Sequence, residues 1–244
     1  MSRTPQPRKS NPVTAKRGPS LNVVLTGIVV LVAALVIGGV LVVNRSSGDG
    51  SADLARLLPA DAHTLSEVEG NRVTLVEFLD YQCPACHSYY SGITEQLEED
   101  YRGRITFATR NFPLDVHPLA PLAARATEAA GEQDKHTEMY HALYGGFDEW
   151  AVTGQATASD ETAARAVFER YAQEIGLDVD RFRADLDSDA VEAAVDRDVA
   201  DGKALGVTGT PTFFVNGERF EPAGQTLEAV GAELRAALDE ALAG

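Results

Sequence analysis

The chain has 244 residues, and 44% of them are apolar, enough to bury a core of ordinary size and to argue against a disordered polymer. Its 37 acidic and 21 basic side chains give a net charge of −16. A protein this acidic repels phosphate backbones, which argues against nucleic acid as a partner.

The first 43 residues differ from the rest in charge and hydropathy. They contain no acidic side chain and five basic ones: Arg3, Arg8, Lys9, Lys16 and Arg17. An uncharged run follows at Leu21–Val43. At about 1.5 Å per residue, this run is long enough to cross a hydrocarbon core of about 30 Å. We therefore predict a transmembrane helix at 21–43, preceded by a basic cytoplasmic tail at 1–20.

A cleaved signal peptide is the alternative for this segment. Its apolar region is typically about 7–15 residues, shorter than the run observed here. The small residues at 46–48 nevertheless leave cleavage open. The excess of positive charge before the span predicts that the N-terminus stays in the cytoplasm and the remainder lies outside it. That compartment tolerates disulfides.

The middle of the chain predicts a linker and then a strand–helix–strand unit. Residues 44–58 begin with small and polar side chains, which is typical of a flexible linker, so we place the domain at 59–244. Val73–Leu79 is nearly continuous apolar sequence and predicts a central strand buried on both faces. Helical spacing follows Cys83, and Ile105–Thr109 predicts a second strand, parallel to the first.

The second half predicts a long helical insertion and a closing hairpin. Residues 117–205 are rich in Ala and Glu with helical spacing, and we expect no strand of the main sheet there. Thr212–Val215 and Glu218–Phe220 flank Asn216-Gly217, the dipeptide typical of a two-residue hairpin turn. Leu227–Leu242 predicts a final amphipathic helix. The predicted fold class is therefore α/β.

The two cysteines of the chain form the motif Cys83-Pro84-Ala85-Cys86, between the buried strand and the following helix. A helix N-terminus has unpaired N–H groups and a partial positive charge, and both stabilise a thiolate. Pro84 suits the first turn because it has no N–H to lose. We therefore predict that Cys83 is the exposed nucleophile and that Cys86 resolves a mixed disulfide.

Three other roles for this pair stay open. A purely structural disulfide would close so small a ring that it would remove little chain entropy. A structural zinc site would need two further ligands, for which four histidines are available: His87, His117, His136 and His141. Cys83 to His87 also matches the c-type haem attachment motif, with His87 as one axial ligand and Met139 as a possible second.

Two stretches together carry a family resemblance. Val76–His87 (VEFLDYQCPACH) and Gly209–Gly217 (GTPTFFVNG) resemble the DsbA-like branch of the thioredoxin superfamily. The resemblance implies a thioredoxin fold with a helical insertion and a cis bond between Thr210 and Pro211. It further implies that the backbone of Thr210 pairs with an extended substrate chain, with Pro211 beside the cysteines.

Glu77 and His87 are further candidate residues around the pair. Glu77 is an acid inside an apolar strand, where a carboxyl group is costly to bury and is therefore neutral or functional. The resemblance implies that Glu77 lies beneath the cysteine pair and helps to move protons. His87 either stabilises a Cys83 thiolate or faces solvent on the second helical turn.

The function expected from these features is thiol–disulfide exchange, with oxidation of exported cysteine-containing proteins as the first choice. An unidentified membrane redox partner would reset the pair, and the reaction needs no metal or organic cofactor. A reductase of the same fold, for instance in cytochrome maturation, is the alternative direction. A haem electron carrier and a non-catalytic binding module are the alternatives from other classes.

Overall fold

The computed structural model describes residues 54–70 and 73–244, all within one unit, Gly50–Gly244. The predicted tail, the predicted membrane span and most of the predicted linker lie outside these residues. Within the described ranges, no helix is both long enough and apolar enough to cross a bilayer.

A five-stranded sheet forms the centre of the domain. Its strands are β1 (Thr64–Ser66), β2 (Thr74–Leu79), β3 (Thr106–Asn111), β6 (Thr212–Val215) and β7 (Glu218–Arg219), in the spatial order β1-β3-β2-β6-β7. β2 pairs in parallel with β3 and antiparallel with β6. The predicted central strand and its parallel partner are confirmed. The predicted hairpin is also confirmed, since Asn216 and Gly217 have φ of 51° and 88° between β6 and β7.

The helical run after the cysteines contains a feature that the sequence did not predict. α1 (Pro84–Tyr89) and α2 (Glu95–Asp100) are joined by one π-helical stretch, Tyr90–Thr94. The wider turn shifts the register of the buried face, so Tyr90 is buried whereas Tyr89 is only partly buried.

The insertion consists of six helices and a small hairpin, followed later by the C-terminal helix. The helices are α3 (Ala120–Gly131), α4 (His136–Gly145), α5 (Phe147–Trp150), α6 (Glu161–Glu174), α7 (Val179–Leu186), α8 (Asp189–Ala204) and, at the C-terminus, α9 (Leu227–Ala243). β4 (Val152–Thr153) and β5 (Ala156–Thr157) form a separate two-stranded sheet. The expectation that no strand of the main sheet interrupts the insertion is therefore confirmed for the described residues.

The alternation of side chains along β2 divides the core into two parts. Leu75 and Leu79 belong to the larger part, which also contains both cysteines and most of the insertion. Val76 and Phe78 belong to the smaller part on the opposite face. Glu77 has the same parity as Leu75 and Leu79, so its carboxyl group faces the part of the core that holds the cysteines.

The start of the domain differs from the prediction. Residues 54–57 are helical and Leu57 is 1% exposed, although the sequence assigned residues up to 58 to the linker. The guanidinium group of Arg110 donates hydrogen bonds to the carbonyl oxygens of Arg56 and Leu57, while Asp198 and Asp201 neutralise its charge. The packed domain therefore includes 54–58, and the boundary at 59 was wrong.

Candidate active site

The cysteine pair lies at the start of α1, immediately after the central strand. Cys83 is the N-cap residue of this helix and Pro84 occupies its first turn, as predicted. The Cys83 carbonyl accepts from the N–H of His87 at 3.0 Å, which begins the helical hydrogen-bond pattern. The two cysteines are reduced, with no disulfide between them. Cys86 is fully buried and Cys83 is 6% exposed, so the predicted order of exposure holds, but Cys83 offers solvent only a small part of its surface.

The two cysteine thiols differ in acidity because their surroundings differ. A hydrogen bond with the Cys86 side chain lowers the pKa of Cys83 to about 6, against the opposing effect of burial, and the N–H groups of Cys86 and Ala85 add to the lowering. Burial raises the pKa of the Cys86 thiol well above its usual value, and the hydrogen bond with Cys83 and the charge of the Cys83 thiolate raise it further. At neutral pH the pair therefore holds one reactive thiolate and one protonated thiol.

The loop before β6 lies directly against Cys83. The Thr210–Pro211 peptide bond is cis, as the family resemblance implied. The Cys83 thiol donates to the carbonyl oxygen of Thr210, with 3.8 Å between sulfur and oxygen. Pro211 also lines a shallow cleft of about 100 Å³, together with Tyr89, Phe213, Phe220 and neighbouring residues. Of the two candidate substrate-binding residues, Thr210 thus contacts the predicted nucleophile, and Pro211 follows it in the chain.

Glu77 lies in the middle of β2, where it pairs with Thr109 on one side and Phe213 on the other. Its side chain is 1% exposed, and its Oε2 atom has no hydrogen-bond partner among the described residues. Burial raises the pKa of Glu77 to about 8. At neutral pH this carboxyl group therefore holds a proton, and it faces the part of the core that contains both cysteines.

Asp80 is a site residue that the sequence analysis missed. Its carboxylate accepts from the N–H of Gln82 at 2.8 Å, the N–H of Leu114 at 2.9 Å and Nδ1 of His117 at 2.6 Å. Its carbonyl oxygen accepts from the N–H of Cys83 at 3.1 Å. An acid directly after a buried strand was a signal that could have identified it. Asp80 therefore fixes the loop that carries the nucleophile.

Gln82 joins the same loop to the insertion. Its amide nitrogen donates to the carbonyl oxygens of Ala151 and Ala158 at 3.0 and 2.8 Å, and its amide oxygen accepts from the N–H of Leu119 at 2.7 Å. These partners are between 37 and 76 residues away in sequence, and no local pattern identifies them. The insertion therefore fixes the position of the cysteine loop through these three hydrogen bonds.

The four histidines considered as zinc ligands each have a different partner. His87 stacks on Phe147 at 4.3 Å, His117 bonds Asp80, His141 bonds Glu98 and His136 stacks on His63. They do not gather around the cysteine pair. Met139, the possible second haem ligand, is fully buried in the core. The geometry therefore favours redox exchange over the metal and haem alternatives.

Comparisons with known proteins agree with this geometry. The family model described as thioredoxin matches residues 69–239. The structure is similar to a thioredoxin-like oxidoreductase from Silicibacter pomeroyi, at 27% identity and a TM-score of 0.59, covering 78% of this chain and 98% of that one. It is also similar to the thiol-disulfide exchange protein alpha-DsbA2 from Wolbachia pipientis, at 24% identity and a TM-score of 0.60, covering 81% and 96%. BdbD from Bacillus subtilis has 22% identity and a TM-score of 0.60, covering 75% and 94%.

A different kind of relative appears among the curated sequences. The Na(+)/H(+) antiporter NhaA of Herminiimonas arsenicoxydans is 36% identical over 176 residues, which are 70% of this chain. The chain spans only about a quarter of that relative's length, 26%, so the antiport named there does not transfer to this protein. The thioredoxin model, by contrast, spans most of the chain, so the protein belongs to the thioredoxin family, and its fold is that of the DsbA-like thiol–disulfide oxidoreductases.

Proposed function

We propose that this protein is a membrane-anchored thiol–disulfide oxidoreductase that oxidises pairs of cysteines in exported proteins. The observation that carries the proposal is the position of the Cys83 sulfur at a helix N-terminus, 3.8 Å from the carbonyl oxygen of Thr210. A nucleophilic sulfur beside a partly exposed backbone carbonyl group suits an unfolded polypeptide as substrate, because that group can accept a hydrogen bond from the polypeptide main chain. The predicted span at 21–43 would anchor the domain outside the cytoplasm.

The proposed reaction begins with the pair as a disulfide. A substrate thiolate attacks the Cys83 sulfur, the Cys83–Cys86 bond breaks, and a substrate–Cys83 mixed disulfide forms while Cys86 leaves as a thiolate. Cys86 has a raised pKa, so it takes up a proton, and Glu77, protonated at neutral pH, faces the same part of the core as Cys86. We assign this proton transfer to Glu77.

A second substrate thiolate then attacks the substrate sulfur of the mixed disulfide. The substrate disulfide forms, Cys83 leaves as a thiolate, and the pair has gained two electrons. The lowered pKa of Cys83 makes it a good leaving group at this step, because a more acidic thiol leaves faster. A membrane redox partner would remove the two electrons and restore the Cys83–Cys86 disulfide.

The pKa of Cys83 also favours the oxidising direction over the reducing one. A thiolate stabilised in the reduced protein makes the disulfide form the stronger oxidant. Reduction potentials in this superfamily span roughly 150 mV, from about −270 mV for thioredoxin to about −120 mV for DsbA. We expect the Cys83–Cys86 couple to lie in the upper half of that range. Equilibration with glutathione redox buffers measures it, and a value near −270 mV would support the reductase alternative instead.

Two cysteine variants test the exchange reaction itself. We expect Cys83→Ser to abolish both oxidative refolding of a reduced protein substrate and insulin reduction. Cys86→Ser should accumulate mixed disulfides that are visible on non-reducing gels, because the resolving thiol is absent. Ser91→Ala is the matched control, since Ser91 lies exposed on the same helical run and only bonds backbone carbonyls. Trapping by Cys83→Ser instead would reverse the assigned roles, and full activity of both variants would refute the proposal.

A further inference from the structure

Three potential metal-ligating side chains meet at a place distinct from the cysteine loop. His63 precedes β1, Glu128 lies on α3 and His136 is the first residue of α4. One ligand atom from each lies within 4.8 Å of the other two. Nε2 of His63 is 3.2 Å from Oε2 of Glu128, and the two imidazole rings stack with centroids 4.2 Å apart. Residues from three separate elements thus converge on one point.

His136 supplies an independent indication that something is bound there. The residue is 6% exposed, and its Nδ1 atom is buried without a hydrogen-bond partner among the described residues. A buried polar atom without a partner is costly, and native structures contain few of them. An imidazole nitrogen can satisfy this requirement by donating its lone pair to a metal ion.

Hydrogen bonds around the cluster orient the Glu128 carboxylate in the way that is usual for a metal ligand. Oε1 of Glu128 accepts from the side-chain amide of Asn111 at 2.6 Å, which leaves Oε2 directed to His63. Asn111 is itself fixed because its backbone N–H donates to Asp198 at 2.8 Å. A hydrogen bond from outside that orients a ligand is typical of metal sites.

Access and space also suit a small ion. A cleft of about 290 Å³ is lined by both histidines together with Gly131, Asp134 and nearby residues, and the His63 side chain is 30% exposed. Gly131 contributes by lacking a side chain: a Cβ atom there would lie 2.7 Å from Nε2 of His63. The cleft gives an ion a path from solvent to the two histidines, and Oε2 of Glu128 lies 3.2 Å from Nε2 of His63.

We propose that His63, Glu128 and His136 bind a divalent transition-metal ion, with zinc as the ion that this donor set fits best. Two imidazoles and one carboxylate, with water in the fourth position, form an established zinc ligand set. The neighbouring acids Asp61 and Asp198 form ion pairs with Arg197 and Arg110. The ion would join the segment before β1 to α3 and α4, at a place distinct from the cysteine loop.

The test is a titration of the full-length protein with zinc sulfate, in detergent and with the Cys83–Cys86 disulfide formed. The disulfide removes the two thiols as competing ligands. Isothermal titration calorimetry should show saturable one-to-one binding with a Kd in the micromolar range or tighter. Zinc should also raise the thermal unfolding midpoint, and EDTA should reverse that increase, because an ion that binds the folded state stabilises it.

Variants decide whether these residues form the site. We expect the double variant His63→Gln/His136→Gln to weaken zinc binding at least 100-fold and Glu128→Gln at least tenfold. His141→Gln, which changes a histidine paired with Glu98, should bind zinc as the original protein does. Gly131→Ala keeps all three ligands but crowds His63, so it should also weaken zinc binding. Because this variant removes no ligand, it tests the site without depending on the folding of the histidine variants.

Cobalt gives a second readout that does not depend on stability. Cobalt(II) in place of zinc should produce visible absorption bands of a four-coordinate ion, and the double variant should lose them. The proposal is overturned if the original protein binds zinc only above about 1 mM. It is also overturned if the double variant binds zinc unchanged, or if His141→Gln weakens binding as much as the double variant does.

Discussion

At the residue scale, the hydrogen bond between the two thiols accounts for the largest part of the acidity of Cys83. Burial alone would raise the pKa of that thiol, yet the pKa is lowered to about 6 because the Cys86 side chain and two N–H groups stabilise the thiolate. On Cys86, burial is the largest cause and raises the pKa, and the hydrogen bond with Cys83 raises it further. Two identical side chains three residues apart therefore differ in reactivity because of their positions in one helical turn.

This asymmetry predicts how the reactivity of Cys83 depends on pH. In the reduced protein, the rate of iodoacetamide alkylation should rise with pH and reach its midpoint near 6, because the thiolate is the reacting form. Cys86→Ala removes the donor and should raise the midpoint towards the usual value of 9. Cys86→Ser keeps a hydroxyl donor, so its midpoint should lie between those of the original protein and Cys86→Ala. A midpoint above 8 in the original protein would contradict this assignment.

Glu77 predicts a pH dependence of stability. Its pKa is about 8 in the folded protein and ordinarily 4.5, so the folded state retains a proton that the unfolded state releases. The free energy of unfolding contributed by this group is therefore fully present below pH 4.5 and is lost as the pH rises towards 8 and above.

Replacing Glu77 by Gln should remove this decrease in unfolding free energy with rising pH. We expect the unfolding free energy of Glu77→Gln to match that of the original protein near pH 4.5 and to exceed it by roughly 4 kcal/mol at pH 8. Urea unfolding of the disulfide form at both pH values measures the difference without titration of the cysteines. Thr109→Val, next to Glu77 on β3, is a control that changes no ionisable group. A Gln variant with the same pH dependence as the original would show that Glu77 is not buried as an acid.

At the element scale, the segment before β1 is part of the folded domain. Leu57 fills the smaller part of the core, and the carbonyl oxygens of Arg56 and Leu57 satisfy the buried guanidinium group of Arg110. Removing these acceptors would leave donors of a buried cation without partners, which is costly. The segment from 54 to 58 therefore contributes to stability, although its composition resembles the linker before it.

Two truncations test this role. A chain beginning at Asp53 should fold with full stability, whereas one beginning at Pro59 should lose roughly 2–5 kcal/mol of unfolding free energy. Urea denaturation monitored by circular dichroism measures the difference. In the longer chain, Leu57→Ala should cost about 2–5 kcal/mol, while Leu54→Ala, at a residue 47% exposed, should cost less than about 1 kcal/mol. Equal stability of the two truncated chains would restore the boundary at 59.

At the scale of the whole molecule, charge divides the chain into two regions. The first 43 residues carry five basic side chains and no acid, so the remaining 201 residues carry a net charge of −21. This asymmetry fits a basic segment held at the cytoplasmic face and an acidic domain in solution outside, which is the topology proposed here.

The proposed topology predicts both fractionation and labelling. The full-length protein should remain with membranes after an alkaline carbonate wash, whereas a chain beginning at Asp53 should be released and should keep its exchange activity. In intact spheroplasts, a membrane-impermeant maleimide should label Cys83 of the reduced full-length protein, and Cys83→Ser/Cys86→Ser should remain unlabelled. Labelling only after lysis would place the domain on the cytoplasmic side and contradict the proposal.

The sequence by itself determined the features that rest on local chemistry. The continuous apolar run of β2, the Asn-Gly turn at 216–217 and the cysteine pair at the first turn of α1 follow from short stretches of chain. The cis bond at Thr210–Pro211 was predictable only through the family resemblance, because spacing does not distinguish cis from trans.

Only the tertiary structure decided what depends on residues far apart in the chain. The partners of Asp80 and Gln82, the side of the core that Glu77 faces, and the packing of 54–58 against Arg110 join segments that share no local pattern. His63, Glu128 and His136, whose first and last members are 73 positions apart, form a cluster of the same kind. Such contacts are set by the order of strands and the packing of helices. The sequence therefore identifies the reactive groups, whereas only the fold determines which of them are in contact.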